Sequence, residues 1–426
     1  MIKKLKIKVK ELKSSEYVRN VATLATGTTI AQLISVGTAP ILYRIYSKED
    51  YGTLGTYMAI VGVIGVFSTL RYNEAIMLEE DDQDAKKVLW LNRYINIIFT
   101  LITIIIVLIG NGFISHYLNN SELKKWLYLI PISIFFSGQN SIFRTWANRK
   151  GEYRILTINS ILSALVVPFV TILVGLIYQN LLGLFAGLII GQIVPSFLLY
   201  YKLSSKYHLG HEYKPAIVEV KSMAIRHKNF PKYSLMADFL YSFHAQIPVF
   251  FLSTFVNAAS VGVYNLAVRV LTLPVHLISR SVSEVFRQKA IEEYNALGNC
   301  KAVYKKTFKS LFLIGIIPFS IFWFFSPHLF RWVFGEVWEE AGIFAQILTP
   351  MVFSSFVVSP LTYLYYIANK QKEDTMTYLV FLVLNIFSFY VFRNDVTILL
   401  ISYSLIYVIF YLVNLIRSYK FSKGLV

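Results

Sequence analysis

About a dozen apolar runs, each near the roughly 20 residues an α-helix needs to cross the hydrocarbon core, constrain this chain more than any motif does. They fall near 20–43, 51–70, 88–113, 126–147, 155–177, 181–201, 232–255, 261–283, 308–328, 341–368, 375–392 and 396–416. In lipid every backbone polar group must be satisfied internally, so runs of this length fold as helices. The expected fold is therefore an all-α integral membrane protein with about twelve transmembrane helices. Composition agrees, since 56% of residues are hydrophobic and only 15% are charged, against about 25% in soluble domains.

A net charge of +17 invites a nucleic-acid reading, but its placement argues otherwise. With both termini in the cytoplasm, inside segments hold 33 of the 41 Lys and Arg residues and outside segments hold six, while Arg93 and Arg269 lie within spans. That asymmetry is the positive-inside pattern, with the charge held against anionic lipid. The opening MIKKLKIKVKELK reads as an amphipathic helix on the cytoplasmic surface that stays attached. A lone cysteine, Cys300, allows no disulfide framework. Metal-ligand spacings, phosphate loops and dinucleotide glycine runs are missing from the sequence, so no metal, cofactor or nucleic-acid partner is expected.

The chain reads as two halves. Residues 1–19 form the basic N-terminus, 20–201 a first lobe of six spans, 202–231 a basic cytoplasmic connector, 232–416 a second lobe of six, and 417–426 a cytoplasmic tail. YGTLGTY (51–57) is echoed by VGVYNLA (261–267), the EEDDQDAKK after span two by EEYNALGNCKAVYKK after span eight, and NRKGEY (148–153) by NKQKED (369–374). Three echoes in register imply a parallel six-plus-six repeat. Such repeats build transporters in which the substrate site lies near the interface of the halves and access alternates by rocking.

Ionisable residues inside spans cost a few kcal/mol and mark pathways. In span eight, Arg269, His276, Arg280 and Arg287 are spaced by 7, 4 and 7, so an unbroken helix carries them on one face with Glu284 beside them. The alternative is that Arg280 and Arg287 are ordinary cytoplasmic-end charges that snorkel. The repeat gives Arg71 and Glu74 of span two about the positions of Arg280 and Glu284. Guanidinium forks bind phosphate oxygens bidentately, which favours arginine over lysine for gripping an anionic headgroup. Asn140, Arg144 and Asn148 form a polar ridge on span four, and Asp238 of span seven shares a face with Ser234, Tyr241 and Ser242. The candidate substrate-binding set is thus Arg71, Arg269, Arg280, His276 and Arg144, with Asp238, Glu74 and Glu284 as candidates for ion coupling. Gly183, Gly187 and Gly191 read as a close-packing surface without chemistry.

The stretch IAQLISVGTAPILYRIYSKEDYGTLGTY, followed by LRYNEAIML, resembles the bacterial oligosaccharide flippases that export O-antigen and capsular repeat units. So does the segment from FPKYSLMADF to EVFRQKA in the second half. These belong to the multidrug/oligosaccharidyl-lipid/polysaccharide (MOP) exporter superfamily, and the resemblance is densest at 28–90 and 230–290. It implies a V-shaped, MATE-like transporter in the bacterial plasma membrane, not an enzyme. It further implies that undecaprenyl-diphosphate-linked oligosaccharide moves from the inner to the outer leaflet for lipopolysaccharide, capsule or other polysaccharide synthesis. Membrane lipids, a polysaccharide polymerase and a chain-length regulator are the partners this implies. The diphosphate role falls by position on Arg71, then on Arg269 and Arg280. Many members carry a carboxylate directly after LRY, where this chain has Asn73 and then Glu74. Two rivals differ in charge and loop size. A cation-coupled multidrug exporter of the same superfamily would favour carboxylates over arginines, and a membrane glycosyltransferase or polymerase would need larger outer loops than the dozen or so residues near 114–125 and 329–340.

Overall fold

The computed structural model describes residues 16–178, 180–209 and 214–424, with side chains described throughout except at 16–22, 276, 277 and 280. The N-terminal amphipathic segment expected at 1–13 lies outside the described residues. Every regular element among them is helical. The principal helices are α1 (Glu16–Ile45), α2 (Lys48–Gly65), α3 (Asp82–Tyr117), α4 (Ile130–Arg149), α5 (Tyr153–Tyr178), α6 (Leu181–Tyr207), α7 (Ile217–Arg226), α8 (Leu235–Phe255), α9 (Ala258–Leu271), α10 (Arg280–Leu297), α11 (Lys301–Phe334), α12 (Glu339–Val358), α13 (Gln371–Val391) and α14 (Val396–Ser422).

Among the described residues nine helical stretches are long and apolar enough to cross a membrane. They coincide with nine of the twelve expected runs; the other three correspond to α1, α4 and α9. α1 and α4 dilute their apolar character with Thr28, Thr29 and Gln32, and with Ser137, Gln139, Asn140, Ser141 and Arg144, while α9 is only 14 residues long. Large apolar side chains such as Ile98, Ile105, Ile109, Phe324 and Phe387 stay exposed along the helices. In a membrane protein they face lipid tails as apolar as themselves.

The chain divides into two compact units, Met1–Gln246 and Ile247–Val426, with the division inside α8. In the first unit, Trp146, Phe143 and Ile142 of α4 pack with Val88 and Leu89 of α3, Leu199 and Leu203 of α6, and Ile76. The basic connector contributes a helix to this core. α7 inserts Val220 and Met223, and Arg226 reaches Glu79 and Asp84, both at 3.0 Å, while His227 meets Glu79 at 2.5 Å. The glycine stripe lies where α6 meets its neighbours. A Cβ added at Gly187 would sit 1.9 Å from Thr171 Oγ1 of α5, and one at Gly183 would sit 1.9 Å from the Tyr46 hydroxyl.

Helix α2 ends abruptly. Ser47 begins it with a capping box closed by Asp50, but beyond Ser68 the chain turns through Leu70 (φ 47°) and Arg71 (φ 64°) before a 3₁₀ segment, Tyr72–Met77. Two successive non-glycine residues in the left-handed region are costly, and such strain persists only where the surroundings enforce it.

In the second unit, Phe286 and Ala290 of α10 pack with Cys300, Tyr304, Leu361, Leu364, Tyr365 and Phe421. The eighth passage corrects one expectation: it is broken. α9 ends at Leu271, Thr272 forms a turn, and Val275–Ser279 is π-helical before α10 resumes. Pro274, which lacks an N–H and crowds the preceding turn, is the physical cause. The constant 100° step that set Arg269 and Arg287 on one face therefore does not carry across the break. Arg287 instead stacks on Tyr363, its guanidinium carbon 4.3 Å from the ring centroid.

Candidate functional site

The site grows from one face of α4. Ser137, Asn140, Ser141, Arg144, Thr145 and Asn148 follow the 3–4 spacing that keeps side chains on one helical stripe. Across from them, the left-handed turn at Leu70–Arg71 throws Arg71 and Glu74 toward the same space. Together with Leu24, Asn73, Met77 and Leu156 they line a cavity of about 490 Å³ within the first unit. Two guanidinium groups and one carboxylate line it.

The two arginines differ in their partners. Arg71 makes an ion pair through Nε with Asp238 of α8 and a second, at 3.5 Å, through Nη1 with Glu74. Glu74 is itself steadied by Asn73 Nδ2 at 3.2 Å, and Asn73 accepts from Thr69 Oγ1 at 2.8 Å. Asn73 is thus a buried brace.

Arg144 has no ion-pair partner among the described residues. Its Nη1 donates to Asn159 Oδ1 at 3.2 Å and to Ser160 Oγ at 3.3 Å, both neutral. Asn159 is oriented by its own donation to the Pro195 carbonyl at 2.8 Å. A half-buried guanidinium held only by neutral acceptors has no carboxylate to displace before it meets an anion. An anionic headgroup entering this cavity meets one arginine already matched by carboxylates and one that is not.

The other sequence candidates do not line this cavity or have side chains outside the described residues. Arg269 and Glu284 are exposed in the second unit and form no ion pair among the described residues. The side chains of His276 and Arg280 lie outside the described residues. Arg93 serves packing: its guanidinium lies over Trp90 at 4.5 Å and Tyr200 at 5.5 Å. Sequence reasoning passed over Ser137, Ser141 and Thr145, and noted Asn73 without giving it a role. The first three were legible as a continuation of the Asn140–Arg144–Asn148 ridge, whereas Asn73 carried no periodic signal. No cluster of three or more His, Cys, Asp or Glu able to hold a metal exists among the described residues.

The sequence profile of a polysaccharide biosynthesis protein family matches residues 41–343, well over half of the chain. The chain belongs to that family. Its fold is shared with solved transporters of the MOP superfamily. A structure described as the inward closed conformation of the lipid II flippase MurJ superposes with a TM-score of 0.70 at 16% identity, covering 93% of this chain and 89% of that one. An inward-facing multidrug resistance MATE family transporter gives 0.69 at 13% identity, covering 93% and 98%. A MOP superfamily transporter from Pyrococcus furiosus, whose binding pocket is described as reversed in polarity, gives 0.55 at 13% identity, covering 95% and 96%. No curated protein matches the chain by sequence. This polysaccharide biosynthesis protein is accordingly a multi-pass membrane protein with a transporter fold, and the resemblance read at 28–90 and 230–290 largely overlaps the matched segment.

Proposed function

We propose that this protein flips undecaprenyl-diphosphate-linked oligosaccharide from the cytoplasmic to the outer leaflet of the bacterial plasma membrane by alternating access, with both termini cytoplasmic. The observation that carries the reading is Arg144, a guanidinium without a carboxylate in a polar cavity that also holds Arg71. The diphosphate binds Arg144 first and then competes with Asp238 and Glu74 for Arg71, while the prenyl tail stays in lipid. The family's link to polysaccharide synthesis and the MurJ-like fold support a lipid-linked sugar as cargo. A polymerase and a chain-length regulator are the partners such a step serves.

Energy need not come from a coupled ion. One charge crossing the membrane is worth about 2.3 kcal/mol per 100 mV, and a headgroup of about two negative charges leaving a negative interior gains roughly twice that. Glu74 and Asp238 then act as counter-ions that reset Arg71 after release, and no coupling role is required of Glu284.

Leaflet accessibility of a labelled undecaprenyl-diphosphate oligosaccharide in proteoliposomes tests the reading. Transfer by wild type and its loss in Arg144→Ala, with the variant folded and inserted, supports it. Full activity of Arg144→Ala removes the grip. Uptake of organic cations without lipid transfer replaces the reading with a drug exporter.

A further inference from the structure

A second cavity, of about 400 Å³, lies on the other side of Arg144 between α4, α5 and α6. Ser137, Asn140 and Arg144 line both cavities, so the α4 face is a shared wall. The far side presents Ser160, Ser163 and Gln192. Apart from Arg144, its lining is uncharged and rich in hydroxyls and amides.

Polar side chains within membrane-spanning helices normally consume one another's hydrogen-bonding capacity. Here part of that capacity is unspent. Gln192 Oε1 is buried with no hydrogen-bond partner among the described residues, and Ser163 reaches the Gly191 carbonyl only at 3.5 Å. A buried amide oxygen left unpaired is costly, and since Gln192 lines the cavity, rotation of its amide would offer that oxygen to a ligand hydroxyl.

We propose that this second cavity is a glycan subsite, taking the sugar joined to the diphosphate while the phosphates lie against Arg144 and Arg71 in the first cavity. The inference rests on the flippase reading and adds to it the place where the sugar is recognised. The chemistry matches on both sides of Arg144: charge faces charge in the first cavity, and neutral donors and acceptors face hydroxyls in the second. A polyprenyl diphosphate without sugar uses the first cavity alone.

Equilibrium binding in nanodiscs separates the two ideas, with undecaprenyl diphosphate and its glucose, galactose, N-acetylglucosamine and N-acetylgalactosamine derivatives as probes. The readout is the ratio of Kd for the bare lipid to Kd for each glycosylated lipid. We expect wild type to prefer at least one glycosylated lipid by about tenfold, the worth of one or two net hydrogen bonds. Gln192→Leu and Ser163→Ala should bring that ratio toward one, whereas Arg144→Ala should weaken all five probes together. Ser163→Ala guards against misfolding of the bulkier change. A wild-type ratio near one for every sugar overturns the subsite while leaving the diphosphate grip intact. A preference that survives in both variants overturns its location. Failure of wild type to bind any of the diphosphates overturns the flippase reading itself.

Discussion

Replacing Asp238 by Asn should tighten, not weaken, the binding of a lipid diphosphate. The Asp238 carboxylate holds Arg71, and each side chain of the pair is 35% exposed. Exposed ion pairs contribute about 0.2–1 kcal/mol, and partial burial puts this one near the upper end. The ligand must displace Asp238 to reach Arg71, so removing the carboxylate should return about 1 kcal/mol, a roughly fivefold lower Kd. Removing Arg71 forfeits a charge-assisted contact of about 1.5–3 kcal/mol, so Arg71→Ala should raise Kd tenfold or more. It also strands Asp238 as an unpaired negative charge close to an anionic ligand, and Arg71→Ala/Asp238→Asn should therefore regain part of the loss. Equilibrium binding of radiolabelled undecaprenyl diphosphate to the four proteins in nanodiscs, at low and raised salt, completes the cycle. If Asp238→Asn binds as weakly as Arg71→Ala, Asp238 orients the arginine rather than competing for it, and the exchange of counter-ions is refuted.

Three further outcomes follow from local geometry. Arg71 sits at φ 64°, so Arg71→Gly should be about 1 kcal/mol more stable than Arg71→Ala in thermal unfolding, though both lose the guanidinium. Gly187→Ala drives a methyl against Thr171 and should destabilise by about 1–3 kcal/mol, whereas Gly37→Ala, with nothing within 4 Å, should be near neutral in the same assay. Burial pushes the Cys300 thiol from 9.0 to about 11, so maleimide should label it slowly at neutral pH. Because the neutral thiol is favoured when folded, its contribution to stability holds below pH 9.0 and is lost as the pH rises toward about 11; a Cys300→Ala variant should lack that fall.

Spans were legible because hydrocarbon thickness sets a length that a run of apolar residues either reaches or does not. The α4 ridge was legible for a similar reason, since Asn140, Arg144 and Asn148 recur at helical spacing. The break after Leu271 was not, because periodicity assumes a continuous helix, and Pro274 signals a bend without giving its register shift. Nor was the pairing of Arg71 with Asp238, 167 positions apart, since a tertiary contact leaves no trace in spacing. The contrast between the two arginines, decisive for the site, rests on partners rather than on residue type. α7 was hidden inside a stretch whose lysines dominated its reading, although Val220 and Met223 stand three apart as one apolar edge.

That connector helix has a consequence for how the protein is made. The core around Ile76, Trp146 and Leu203 closes only when Val220 and Met223 arrive, and Arg71, already beside Glu74, gains its second counter-charge only with Asp238. The helices up to α6 are thus synthesised before α7, which completes their core, has left the ribosome. During that interval Glu79, which Arg226 and His227 later cover, is left open together with uncovered apolar surface, the state in which nascent chains are exposed to misassembly and proteolysis. A premature stop between 208 and 216 would therefore yield not a stable half-transporter but a substrate for membrane quality control, while a stop beyond Gln246 would leave the first unit complete.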